Sequence, residues 1–203
     1  IELALWDIVG KAYGVPVYQL IGGKFRDKIN VYCDTDIYGK HSGTEMGMAL
    51  KRRMEKGYVM LKMDVGIDLL LDEPGTLCGP RTILDAMRAD PDMPIFKRGG
   101  KTIEENLKEK AIYDLYNIEH PFTGIHITEK GLDYLEQYVA EARAVVGYDI
   151  PISIDHFGHI GVEDCIQLLR RLEKYNIAWA EDLLPWQYTK QYQRIAQQTS
   201  VPL

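Results

Sequence analysis

The sequence predicts an α/β chain, a parallel sheet covered by helices, organised as part of a (β/α)-barrel. Three observations carry this reading. Short β-prone stretches alternate with amphipathic helical patterns through the second half of the chain. No GxGxxG motif follows the first strand, so a dinucleotide-binding sheet lacks its signature. Three strands end in charge, at Lys62 and Asp64, at Asp155, and at Glu181 and Asp182, the position that faces the mouth of a barrel. A complete barrel needs about 250 residues. The 203 residues present supply four full strands, which leave open edges, so a fragment of a larger barrel is expected.

The elements follow in order. Ile1–Tyr13 is helical in pattern, with Leu5 and Ile8 on one side, and Gly14 and Pro16 end it. Gly22 and Gly23 break the chain before a β-prone stretch at Ile29–Cys33. Thr44–Lys56 is a helix with Gly57 as its C′ residue, and Tyr58–Val65 is a strand. The stretch from Gly66 to about Ile127 holds five of the nine prolines, the Gly99–Gly100 pair and one helical segment at about 102–116. It reads as a long insertion or lid. Leu132, Leu135, Val139, Ala142 and Val146 then mark an amphipathic helix closed by Gly147. Pro151–Asp155 is a strand, Val162 to Leu172 a helix, Ile177–Glu181 a strand and Tyr188–Gln198 a helix, with a further strand beginning at Val201.

Composition excludes several classes. The net charge of −6 offers no basic stripe for a nucleic acid, and no apolar run reaches the length of a membrane span. Cys33, Cys78 and Cys165 are widely spaced without a CxxC pattern, which points to a reduced, cytoplasmic setting. The chain opens without Met inside a helical pattern and without a signal peptide, as a piece of a longer product would.

The charged strand tips are the candidate site. Lys62 and Asp64 are two apart on one strand and share its inner face. Asp155 and Glu181 lie one strand–helix–strand unit apart, which makes them neighbours able to share a hard cation. A single strand-end Asp more often caps a turn. Repetition at three consecutive tips favours chemistry.

These stretches carry a resemblance. GVPVYQLIGGKFRDKINVY resembles the junction between capping domain and barrel in the mandelate racemase/muconate lactonising branch of the enolase superfamily. GYVMLKMDVG is similar to that branch's second barrel strand, and PISIDHFGHIGVEDCIQLLRRLEKYNIAWAEDLLPW to its third and fourth. The resemblance implies an enolase-type barrel, with residues 1–28 as the end of the capping domain and 29–203 as the first half of the barrel, carrying the insertion at about 66–127. It implies Mg²⁺ as cofactor, held by Asp155 and Glu181, with a third carboxylate beyond Leu203. Lys62 falls on the lysine that contacts the substrate carboxylate, while Asp64 stands where a second lysine often acts as base. A carboxylate cannot simply replace that lysine, so Asp64 has another role or the base comes from a later strand. Phe157 and Leu183–Leu184 also depart from the family pattern.

The implied chemistry is removal of the proton alpha to a carboxylate through a metal-stabilised enediolate. The insertion favours loss of water from a sugar acid, as in dehydratases of the mannonate dehydratase type, with His41, His156 or His159 as proton donor and His156 preferred for its place beside Asp155. The expected partner is thus a small-molecule carboxylate, and the family's symmetric assemblies imply a homo-oligomer. A racemase, epimerase or cycloisomerase on the same scaffold is the first alternative. A catalytically silent binding or regulatory protein is the second.

Overall fold

The computed structural model describes residues 1–79, 125–155, 160–184 and 188–203. The chain divides into two compact units, Ile1–Val31 and Tyr32–Leu203. The first unit holds α1 (Glu2–Tyr13) and α2 (Val17–Leu20). Gly14, at φ 68°, ends α1 in the left-handed region and donates its N–H to the carbonyls of Gly10 and Lys11. Leu5 and Ile8 are both exposed on this helix.

The second unit is built on a four-stranded parallel sheet. In chain order its described elements are β1 (Cys33–Thr35), α3 (Gly43–Glu55), β2 (Leu61–Asp64), β3 (Leu77–Cys78), β4 (His126–Ile127), α4 (Glu129–Val146), β5 (Ile152–Asp155), α5 (Val162–Leu172), β6 (Ile177–Glu181) and α6 (Thr189–Ala196). The sheet runs β1–β2–β5–β6. Alternation along the strands separates two faces. Leu61, Met63, Ile152 and Ile154 are fully buried in one core with Leu50, Leu135, Val139, Leu168 and Leu169 of the helices. Lys62, Asp64, Ser153 and Asp155 lie on the other face.

Helix starts follow local chemistry. Ser42 caps α3 in a reciprocal capping box with Glu45, the Ser42 side chain accepting from the Glu45 N–H while the Glu45 carboxylate accepts from the Ser42 N–H. Thr128 caps α4. Helices α3 and α4 ride close together because α3 presents glycine: a Cβ on Gly43 would stand 2.1 Å from the Tyr138 carbonyl oxygen, and one on Gly47 2.7 Å from Val145 Cβ.

Two features set the strands in register. Arg143 of α4 is buried and donates to four backbone carbonyls, of Gly147 and Ile150 before β5 and of Tyr175 and Asn176 before β6. Between β5 and β6 the ladder is irregular: Ile152 pairs with Ile177, but Ile154 with Ala180 and Asp155 with Glu181. Three steps of β6 thus match two of β5, a bulge.

The observed elements shift some expected bounds. The first strand begins at Cys33, where its N–H reaches the Met60 carbonyl, whereas Ile29, Val31 and Tyr32 are exposed. Val201–Leu203 forms no strand, although the Pro202 carbonyl takes the Ala180 N–H beside β6. In the stretch expected as an insertion, Ile67, Leu70, Leu77 and Ile127 are core residues, and β3 pairs antiparallel with β4. The helix expected at 102–116 lies outside the described residues.

Candidate functional site

The inner face of the sheet gathers its charge around one ammonium group. Lys62 Nζ lies 2.8 Å from Asp155 Oδ2 and 3.1 Å from Glu181 Oε2. Lys62 and Asp155 are buried, whereas the Glu181 side chain keeps 36% of its surface exposed. The three come together because β2, β5 and β6 are neighbours in that order, with Asp64 paired to Asp155 and Asp155 to Glu181.

Aromatic residues frame this triad. Trp179, two residues before Glu181 and so on the same face of β6, donates its indole N–H to Glu181 Oε2 at 3.2 Å. Tyr32 meets Trp179 edge to face, with ring centroids 5.4 Å apart. The Lys62 ammonium stands 5.8 Å from the Tyr32 ring centre. Tyr32 immediately precedes β1 and Trp179 lies on β6, the two edge strands, so their contact links residues from opposite ends of the strand order.

The electrostatics follow from crowding of carboxylates. Burial works against the charge on Lys62, but its hydrogen bonds to Asp155 and Glu181 outweigh that cost and hold its pKa above the ordinary lysine range. Burial likewise opposes ionisation of Glu181, and the Trp179 N–H and Lys62 reverse the effect, leaving its carboxyl below the usual range. Asp64 behaves in the opposite way. Burial, then the nearby charges of Asp34, Asp155 and Asp36, push its carboxyl up to about 7 against the smaller pull of Lys62. Asp182 is raised by burial and by Asp155 and Glu181, and its φ of 47° places it in the left-handed region as the chain leaves β6.

Of the residues singled out in the sequence, Lys62, Asp64, Asp155 and Glu181 share this face. His156 and His159 lie outside the described residues, as does Phe157. His41 stands in the loop after β1, where its ring nitrogens meet the Gly39 carbonyl and the Tyr138 hydroxyl at 2.7 and 2.8 Å. Leu183 and Leu184, which depart from the family pattern, are buried, and Tyr192 of α6 holds the backbone of Leu184. Sequence reasoning missed Asp34 and Asp36 at the end of β1, together with Tyr32 and Trp179. The first pair was legible as charge ending a fourth strand. The aromatic pair depends on strands far apart in the chain and left no local signal.

The donor chemistry suits a hard divalent cation. Two carboxylates on adjacent strands already share one positive group, the Lys62 ammonium, and their oxygens are the ligand type that Mg²⁺ takes. Among the described residues no third His, Cys, Asp or Glu completes a group that could hold a metal ion. Nor is any described helix long and apolar enough to cross a membrane.

Comparison with known proteins adds an independent line. The family described as enolase C-terminal domain-like matches residues 45–203. The D-galactonate dehydratase family member RspA of Cellvibrio japonicus is 30% identical over all 203 residues, which cover 42% of that relative. A D-mannonate dehydratase of Caulobacter vibrioides is 26% identical over 203 residues, again 42% of its length. The chain therefore spans less than half of these relatives. Among solved structures, a member of the enolase superfamily from Salmonella Typhimurium superposes with a TM-score of 0.64 at 23% identity, over 98% of this chain and 42% of that one. A mandelate racemase/muconate lactonizing enzyme-like protein from Rubrobacter xylanophilus gives 0.64 at 20%, with the same coverage of 98% and 42%.

Proposed function

The chain belongs to the enolase C-terminal domain-like family, and from that premise we propose that the protein carrying it is a Mg²⁺-dependent acid-sugar dehydratase. In this reading residues 1–28 end a capping domain and 29–203 form the first half of the barrel, and the insertion expected at about 66–127 contributes a lid while Ile67, Leu70, Leu77 and Ile127 anchor it in the core. The observation that carries the reading is the pair Asp155 and Glu181, set side by side on adjacent strands and bridged by a single cationic group. The names of the relatives support an acid sugar as substrate.

Asp155 and Glu181 would hold the metal. When bound, Mg²⁺ supplies positive charge against the substrate carboxylate and so acidifies the proton alpha to it. Lys62, released from the two carboxylates, presents its ammonium to the substrate carboxylate and offsets the charge that develops there. Asp64, on the same strand face as Lys62 and opposite Asp155, is assigned to proton transfer, with His156 as the second carrier toward the departing hydroxyl.

The test is to incubate the full-length protein with Mg²⁺ and pooled hexonic, pentonic and aldaric acids in D₂O, following products by NMR and mass spectrometry. A 2-keto-3-deoxy product that disappears with EDTA and with Glu181→Gln is the expected result. Deuterium at the alpha carbon without loss of water would transfer the assignment to a racemase or epimerase. Absence of both, with Mg²⁺ bound, would replace catalysis by a binding role.

A further inference from the structure

Four side chains on the inner face form a closed circuit of contacts. Lys62 bonds Glu181 Oε2 at 3.1 Å, Trp179 Nε1 donates to the same Oε2 at 3.2 Å, the Tyr32 ring stands edge to face with Trp179, and the Lys62 ammonium lies 5.8 Å from the Tyr32 ring centre. Both donors fall on one oxygen. Glu181 Oε1 receives no donor among the described residues. The two carboxylate oxygens of Glu181 are therefore not equivalent, and Lys62 and Trp179 together impose the difference.

We propose that Trp179 is a positioning residue: its indole N–H fixes Glu181 through Oε2, so that Oε1 is the oxygen offered to a divalent cation. This rests on the reading of Glu181 as a metal ligand and names what orients it. The physical case has two parts. A free glutamate side chain samples many rotamers, and freezing it costs conformational entropy. The Trp179 N–H meets that cost before a cation arrives. The indole can hold this pose because it is a large ring braced against Tyr32 from the far edge of the sheet, rather than a flexible donor. Lys62 cannot substitute for it, since its ammonium is shared with Asp155 and, in the reading above, turns to the substrate carboxylate. Trp179 competes with the metal for nothing, as its donor occupies only the oxygen that the cation does not use.

Binding of Mn²⁺ alone to the full-length protein, followed by electron paramagnetic resonance, tests the proposal, with unfolding in EDTA measured in parallel. Trp179→Phe keeps a ring against Tyr32 and removes only the N–H. It is expected to weaken Mn²⁺ binding roughly ten- to hundredfold, the range for loss of a ligand's outer partner, while the unfolding transition in EDTA stays cooperative and well above the assay temperature. In a Glu181→Gln background the same substitution should add nothing further. Equal Mn²⁺ affinity in wild type and Trp179→Phe would overturn the proposal while leaving Glu181 as a ligand. Equal affinity in wild type and Glu181→Gln would overturn the reading of the ligand itself, and the proposal with it. Should Trp179→Phe fail to fold, Trp179→Leu, which also lacks a donor, takes its place with the same two outcomes.

Discussion

Glu181 stands beside Asp155 because β6 takes three steps where β5 takes two. Regular pairing onward from Ile152 and Ile177 would set Ala180 against Asp155, and the second carboxylate would pass the first by one residue. The bulge re-aims the end of β6 and brings two acidic groups to one cation.

Removing that cation should therefore weaken the metal-free protein. Lys62→Met removes the ammonium from between buried Asp155 and Glu181. A loss on the order of 3 kcal/mol is expected in EDTA, as when one partner of a buried pair is deleted, and saturating Mg²⁺ should recover most of it. Urea unfolding with and without the ion measures this. A variant as stable as wild type in EDTA would show that the ammonium contributes no net stability.

Asp64 gives a pH signature. Its folded pKa of about 7 lies above the ordinary aspartate value of 3.8, so between the two the folded state retains a proton that the unfolded chain has lost. Its contribution to stability is full below about pH 4 and is lost as pH rises through about 7. Asp64→Asn removes this dependence. In EDTA the wild-type thermal midpoint should fall more steeply than that of Asp64→Asn from about pH 5 to about pH 8, and parallel profiles would contradict the assignment.

Arg143 ties two strands from below the sheet. Arg143→Met leaves four buried or half-buried carbonyls without their donor, and the expected loss is about 3 kcal/mol or more by chemical denaturation. Arg143→Lys should recover only part, since a point charge cannot reproduce the guanidinium fork. Full recovery by lysine would mean that charge, not geometry, is what the site uses.

Close approach of α3 to α4 makes a separate claim. The Cβ introduced by Gly47→Ala would fall 2.7 Å from Val145 Cβ and 3.0 Å from the Ala142 carbonyl oxygen, so the helices must part. A destabilisation of about 1–3 kcal/mol is expected. Combining it with Val145→Ala, which clears the nearest atom, should return part of the loss. A neutral Gly47→Ala would show that the helices separate without cost.

The sequence carried the elements whose period was strong and local. Ile177–Glu181 has the bounds its apolar run predicts, and the helix marked by Leu132 to Val146 is found, extended back to Glu129 by the Thr128 cap. Ile29 and Val31 misled because β-branched residues suit a strand wherever they stand, while pairing begins only where the Met60 carbonyl is in reach. Lys62, Asp64, Asp155 and Glu181 were legible as charge ending apolar runs. The bulge was not, because an added residue leaves the composition of β6 unremarkable and appears only in its pairing with β5. Nor was Arg143, whose helical position reads as surface until its four acceptors are seen to come from two distant turns.

The Arg143 clamp has a consequence for how this chain can vary in length. From Ile150 to Asp155 and from Asn176 to Glu181 the count is the same, five residues from a carbonyl held by the guanidinium to a carboxylate at the tip. A single-residue insertion or deletion within either interval, unless taken up by a further bulge, turns a carboxylate toward the helices. Beyond the tips no such count applies: the chain travels from Asp64 away and back to Ile152, and Asp64 still lies opposite Asp155. Length is thus constrained on one side of the sheet and free on the other, so new loops can be acquired above the carboxylates without disturbing the pair beneath them.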